Sequence, residues 1–249
     1  SAGKNKCIAI LNLGKIEKGK KNLIVFLHGD GSPNSPRPGI PKKSQIRFAK
    51  ELINDNNNIF LFARPGYFIR ERGSSEEDRY SSGPRNAIKS TVVNYDWKNF
   101  QILAPALQNL KKYYKPKKLI LIGHSGGAYQ GGTIHGKVPG LVDINILISC
   151  PCDWEIRKKL SNGKKWETKS QLKELKKNSP SFNYKDIDLK SLNILIVGKD
   201  DKNTAPGVSK YYYDLLKKKK LQVKLHIIDG GHGLRSMPTI GSIIKEYIN

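Results

Sequence analysis

Short runs of consecutive apolar residues punctuate the chain: Cys7–Leu13, Leu23–Leu27, Ile59–Ala63, Leu119–Ile122, Ile144–Ile148, Ile194–Val197 and Leu225–Ile228. Most are too short for helices. They are apolar at successive rather than alternate positions, which is how a strand buried on both faces reads. Helical periodicity fills the gaps. Ile46, Ala49, Leu52 and Ile53 share one face of Pro41–Asn54. Trp97, Phe100, Leu103, Leu107 and Leu110 do the same in Tyr95–Tyr114, where Pro105 predicts a kink. Gly207–Lys218 and Thr239–Ile248 supply two more helices. Strands alternating with helices predict an α/β architecture: a mostly parallel sheet of about seven strands with helices on both faces.

Two segments break the alternation. Cys150–Leu192 is long and carries Trp154, Trp166, Phe182 and Tyr184, so it is expected to cross the active-site edge as a lid or pocket wall. Gly66–Arg85 is long, polar and rich in Gly and Ser, and leaves its strand at the same edge. A length of 249 residues suits one large domain, 1–249, with the wall segment at 150–192. No repeat or low-complexity linker divides it.

The formal charge of +24 and the pI near 9.9 raise the question of nucleic acid or anionic membranes. Only nine of the 45 basic residues are Arg, the residue suited to bidentate phosphate recognition, and the lysines are scattered. A solvated basic surface is therefore expected, with no specific nucleic-acid partner. The densest run, Lys217 to Lys220, falls where a helix should end, a position that favours cations. No 18-residue apolar span is present, so no transmembrane segment is expected. The three cysteines show no zinc spacing. Cys150-Pro151-Cys152 reads as too short for ordinary disulfide closure, and both thiols are read as packing, with a pair involving Cys7 left open. The sequence begins at Ser1 without Met, which leans toward a periplasmic or secreted protein with its leader removed; the cytoplasm is the alternative.

The chemistry concentrates in Gly123-His124-Ser125-Gly126-Gly127, directly after the run Leu119–Ile122 and at the start of a helical segment. A serine on a tight strand-to-helix turn projects its hydroxyl from the sheet edge. That backbone is strained, and only small residues fit around it. In this context the chain resembles the α/β-hydrolase superfamily of serine esterases and prolyl-oligopeptidase-like hydrolases, over nearly its whole length. The resemblance implies the α/β-hydrolase fold and a triad in the chain order Ser, Asp or Glu, His. Ser125 is then the nucleophile. His232, in Gly230-Gly231-His232-Gly233 after the last strand, is the base. Asp201, three residues after Gly198 and shortly before Pro206, best fits the acid; Asp200 and Asp153 are alternatives.

The same resemblance assigns the oxyanion hole to two backbone amides, that of Asp30 in His28-Gly29-Asp30-Gly31 and that of Gly126. His28 is expected to orient its loop, and the Asp30 side chain to point away from the oxyanion. Arg64, in Arg64-Pro65-Gly66-Tyr67, reads as a tie between loops rather than as a ligand for a substrate carboxylate. His124 reads as structural. Tyr67, Tyr129 and Trp154 are candidate pocket residues. The implied function is hydrolysis of a small-molecule carboxylic ester through an acyl-enzyme, with no metal or organic cofactor required. The alternative is a peptidase of prolyl-oligopeptidase type acting on small peptides or amides. Glu71, Glu76, Glu77 and Asp78 would then supply a carboxylate for a free amine. Enzymes of that type usually carry a second domain, for which these residues leave no room.

Overall fold

The structure, a computed structural model, describes residues 6–19, 21–30, 39–40, 43–69, 79–80, 95, 97–160, 169–233 and 238–248. Each apolar run becomes a strand of one sheet: β1 (Ile10–Leu13), β2 (Asn22–Leu27), β4 (Asn57–Phe62), β7 (Leu119–His124), β8 (Ile144–Ile148), β9 (Leu192–Gly198) and β10 (Gln222–Ile228). Their order is β1-β4-β2-β7-β8-β9-β10, with β1 antiparallel to β4 and the others parallel. Three two-residue strands, β3 (Gly39–Ile40), β5 (Phe68–Ile69) and β6 (Arg79–Tyr80), form a separate small sheet.

The helices are α1 (Lys43–Lys50), α2 (Trp97–Tyr114), α3 (Gly126–Lys137), α4 (Trp154–Leu160), α5 (Lys169–Lys177), α6 (Pro180–Asn183), α7 (Pro206–Lys218) and α8 (Pro238–Ile248). Every residue of β2, β4, β7 and β8 is buried, as the unbroken apolar runs require. Leu23, Val25, Leu119 and Leu121 face the core under α2 and α3, while Ile24, Phe26, Ile120 and Ile122 face the core under α1 and α8. Each such side chain contributes roughly 1.5–3 kcal/mol by leaving water.

Helix α2 continues past Pro105. Two expectations need adjustment. Trp97 lies half out of the core, where the Lys137 ammonium sits 4.5 Å above its ring. Ile53 lies beyond the end of α1 and is exposed.

The excursion after β8 is helical and packs on α3. Tyr129 donates to the Leu175 carbonyl, Thr133 donates to the Asn178 carbonyl, and Pro180 rests on Gly132. Trp166 lies outside the described residues. The reading of Cys150 and Cys152 as free thiols is wrong: the two are joined by a disulfide. Residues two apart on an extended chain point to the same side. The turn after β8 brings their Cα atoms to 5.1 Å, inside the range a disulfide spans. Both sulfurs are buried beside Tyr212 and Leu216 of α7, and exposed Cys7 takes no part. None of the described helices is long and apolar enough to cross a membrane.

Candidate active site

The parallel strands all end at one edge, and the residues singled out from the sequence gather there. Ser125 connects β7 to α3 with φ 52° and ψ −117°, a strained conformation for a residue with a side chain. Its N–H donates to the Ile148 carbonyl at the end of β8 (2.8 Å), so the neighbouring strand fixes the turn. A side chain at Gly127 would run into the Leu27 carbonyl of β2, so only glycine lets α3 approach this closely.

Ser125, His232 and Asp201 form a continuous relay. The Ser125 hydroxyl donates to His232 Nε2 at 2.9 Å. His232 Nδ1–H donates to the Asp201 carboxylate, 2.9 Å from Oδ2 and 3.1 Å from Oδ1. This network assigns the tautomer with the proton on Nδ1. The loops bearing Asp201 and His232 are laced together: the Lys199 N–H donates to the Ile228 carbonyl, and the Asp200 N–H to the Gly230 carbonyl.

The Asp201 side chain is fully buried, whereas Asp200 is exposed and makes no contact with His232 among the described interactions. Asp153 is engaged elsewhere, capping α4 through the Ile156 N–H and accepting from the Ser181 hydroxyl. Burial opposes the Asp201 charge. The hydrogen bond and charge of His232, with the Thr204 N–H and hydroxyl, outweigh it and lower its pKa to about 2. Thr204, which sequence reasoning missed, donates its hydroxyl to Asp201 Oδ2 (2.7 Å) and lies 3.2 Å from His232 Nδ1. The Asn203 and Thr204 N–H groups both donate to Oδ1.

His124 ties the elbow to a distant loop: its Nε2 donates to the His232 carbonyl at 2.9 Å and holds the loop that carries His232. His28 orients its own loop as expected, with Nδ1 donating to the Gly29 carbonyl and Nε2 accepting the Arg64 N–H. That loop lies on the elbow: a Cβ placed on Gly29 would be 3.2 Å from Ser125 Cβ.

The Asp30 side chain departs from expectation. It turns toward the elbow, where Oδ1 accepts from the fully buried Arg64 and Oδ2 from the Tyr95 hydroxyl. A Cβ placed on Gly126 would lie 2.5 Å from the Tyr95 hydroxyl and 2.6 Å from Asp30 Oδ1. The reason is electrostatic: a buried guanidinium needs a counter-charge, and the nearest carboxylate supplies it. Arg64 has no exposed surface to offer a substrate.

Tyr129 and Trp154 pack with Tyr95, their ring centroids 4.5 and 5.7 Å from that of Tyr95, while Tyr67 packs edge-on to His28 beyond Arg64. All three candidate pocket residues are buried. Glu71, Glu76, Glu77 and Asp78 lie outside the described residues.

The acylaminoacyl peptidase of Pyrococcus horikoshii superposes with a TM-score of 0.65 at 18% identity, covering 94% of this chain and 37% of that one. The chain thus spans little more than a third of the length of the acylaminoacyl peptidases it resembles. Est1E of Butyrivibrio proteoclasticus, with ferulic acid bound, superposes with a TM-score of 0.67 at 12% identity, covering 96% and 93%. The Pyrococcus furiosus esterase Pf2001 gives 0.58 at 19% identity, covering 92% and 85%. No curated protein sequence matches. The profile of the prolyl oligopeptidase family matches residues 55–246. The fold is that of the α/β hydrolases, and the chain belongs to the prolyl oligopeptidase family of serine hydrolases.

Proposed function

We propose that this protein is a serine acyl hydrolase that cleaves carboxylic esters, with Ser125, His232 and Asp201 as its catalytic residues. The observation that carries this reading is the unbroken Ser125–His232–Asp201 relay at the sheet edge. In the first half-reaction the Ser125 oxygen attacks the carbonyl carbon while His232 Nε2 takes its proton. Collapse of the tetrahedral adduct expels the alcohol, which receives that proton from His232. Water, deprotonated by the same nitrogen, then attacks the acyl-enzyme and releases the acid. Asp201 holds the proton of the imidazole on Nδ1 and balances the imidazolium that forms twice per turnover. The amides of Gly126 and Asp30 are the proposed donors to the oxyanion.

The test is steady-state hydrolysis of p-nitrophenyl acetate, butyrate and octanoate by wild type and Ser125→Ala. Turnover abolished in the variant supports the reading. Turnover equal in both proteins refutes it.

Membership of the prolyl oligopeptidase family favours one second reading, a peptidase acting on small peptides or amides. Matched aminoacyl p-nitroanilides and p-nitrophenyl esters separate the two. An ester hydrolase discriminates strongly against the anilide, whereas a peptidase cleaves it at a comparable rate.

A further inference from the structure

Behind the elbow lies a charged cluster that the acid-base relay does not use. Arg64 follows β4, Asp30 follows β2, and Tyr95 precedes α2, so three separate segments meet at one carboxylate. Arg64 is completely buried. Its Nη2 donates to Asp30 Oδ1, and its Nε and Nη1 have no hydrogen-bond partner among the described residues. The Tyr67 hydroxyl completes the cluster, 3.4 Å from Arg64 Nη2 and 3.5 Å from Asp30 Oδ1. Burial works against the Arg64 charge, but Asp30, with Tyr67 and Tyr95, overcomes it and holds the guanidinium ionised.

The place of this carboxylate matters. Asp30 Oδ1 is 2.6 Å from the point where a Cβ of Gly126 would stand. Backbone geometry then puts it no more than about 5 Å from the Gly126 nitrogen. An unbalanced negative charge that close to an oxyanion donor would oppose the charge that develops on the substrate oxygen. The Asp30 side chain is partly exposed, whereas the guanidinium of Arg64 has no exposed surface and cannot be left without a counter-charge.

We infer that Arg64 is a positioning residue for the oxyanion hole: through Asp30 it cancels the carboxylate beside Gly126 and fixes the β2 loop against the elbow, with Tyr95 as the second anchor. This inference rests on the acyl-hydrolase reading and deepens it. It assigns the buried arginine a task in the transition state rather than in substrate capture. The loss on removing Arg64 should therefore fall on kcat and on oxyanion binding, not on KM.

The experiment compares wild type, Arg64→Met, Tyr95→Phe and the double variant Arg64→Met/Asp30→Asn. Labelling by a fluorophosphonate first counts the reactive Ser125 in each. The kcat and KM for p-nitrophenyl butyrate follow, with the inhibition constant of phenyl trifluoromethyl ketone, whose serine adduct carries an oxyanion. Arg64→Met is expected to lose about 30- to 100-fold in kcat per labelled site, with KM within about three-fold and inhibitor affinity falling in parallel with kcat. The double variant, which carries neither charge, is expected to recover to within about ten-fold of wild type.

Arg64→Met with kcat within three-fold of wild type overturns the inference. So does a loss confined to KM, or a double variant worse than the single; either would leave the pair a structural tie. Should Arg64→Met not fold, Tyr95→Phe decides: a several-fold loss in kcat with parallel loss of inhibitor affinity supports the inference, and unchanged values overturn it. Wild type that fluorophosphonate does not label overturns the acyl-hydrolase reading itself, and this inference with it.

Discussion

Replacing Asp201 by Asn is the most informative single change, because the donors around it dictate what the amide must do. The Asn203 and Thr204 N–H groups both point at Oδ1, so the oxygen of an introduced amide is held there. Its NH2 then occupies the Oδ2 position, facing the Thr204 hydroxyl and His232 Nδ1. An NH2 cannot accept, so Nδ1 must become the acceptor and the imidazole proton moves to Nε2. That nitrogen faces Ser125 and can no longer take its proton. The expected loss in kcat is about 10⁴-fold, or about 5 kcal/mol, with KM little changed.

The exposed neighbour Asp200 is the control, and Asp200→Asn should stay within about two-fold. A stability measurement gives an independent arm. The Asp201 pKa falls from the ordinary 3.8 to about 2 on folding, so its charge adds about 2 kcal/mol of stability above pH 4. A depressed carboxylate pKa means that this increment is lost as pH falls through the window from about 4 to 2. Urea unfolding of wild type should show that loss, and Asp201→Asn should lack it. Asp201→Asn retaining activity within ten-fold of wild type, or Asp200→Asn losing more, would refute the assignment of the acid.

Further changes test the surroundings. Gly126→Ala places a methyl group against the Tyr95 hydroxyl and Asp30 Oδ1, so kcat should fall about 100-fold in a protein with a native circular dichroism spectrum. His124→Ala removes the N–H that clamps the His232 carbonyl; a loss of about 1 kcal/mol, read as a five- to ten-fold fall in kcat, is expected. Thiol titration with Ellman's reagent should find one reactive group in the native protein, Cys7, and three after denaturation with reductant and its removal.

The inner strands were legible because parallel strands buried on both faces write themselves as unbroken apolar runs; the runs at Cys7–Leu13 and Leu225–Ile228 also became strands, but they lie at the sheet edges, only partly buried, and β1 is antiparallel. The elbow and the histidine turn were legible because their conformations demand small residues at fixed offsets. Asp201 came from spacing alone, and the structure brings it to His232. What spacing could not reach depends on contacts between distant segments. Tyr95 meets Asp30 across 65 positions, and nothing local in Asn94-Tyr95-Asp96 announces a partner. Thr204 lay only three residues from Asp201, and a hydroxyl so close after an acid was a signal that could have been used. The Asp30 orientation failed for a different reason: the pull of a buried arginine is visible only once Arg64 is known to have no route to solvent. The cysteine pair failed because a two-residue separation was judged from sequence distance, whereas the bend after β8 sets the distance in space.

The seam where α3 meets the end of β2 has a consequence for how such a protein can change. With no room for even a methyl group at Gly127 and the elbow tied to the Ile148 carbonyl, Ser125, helix and sheet form one rigid unit. Variation there is punished whatever the substrate. The helices after β8 meet that unit through the Tyr129–Leu175 and Thr133–Asn178 hydrogen bonds, and Pro180 and the Asn183 carbonyl press as closely on Gly132 and Gly136, so the same intolerance of added bulk extends along a second face of α3.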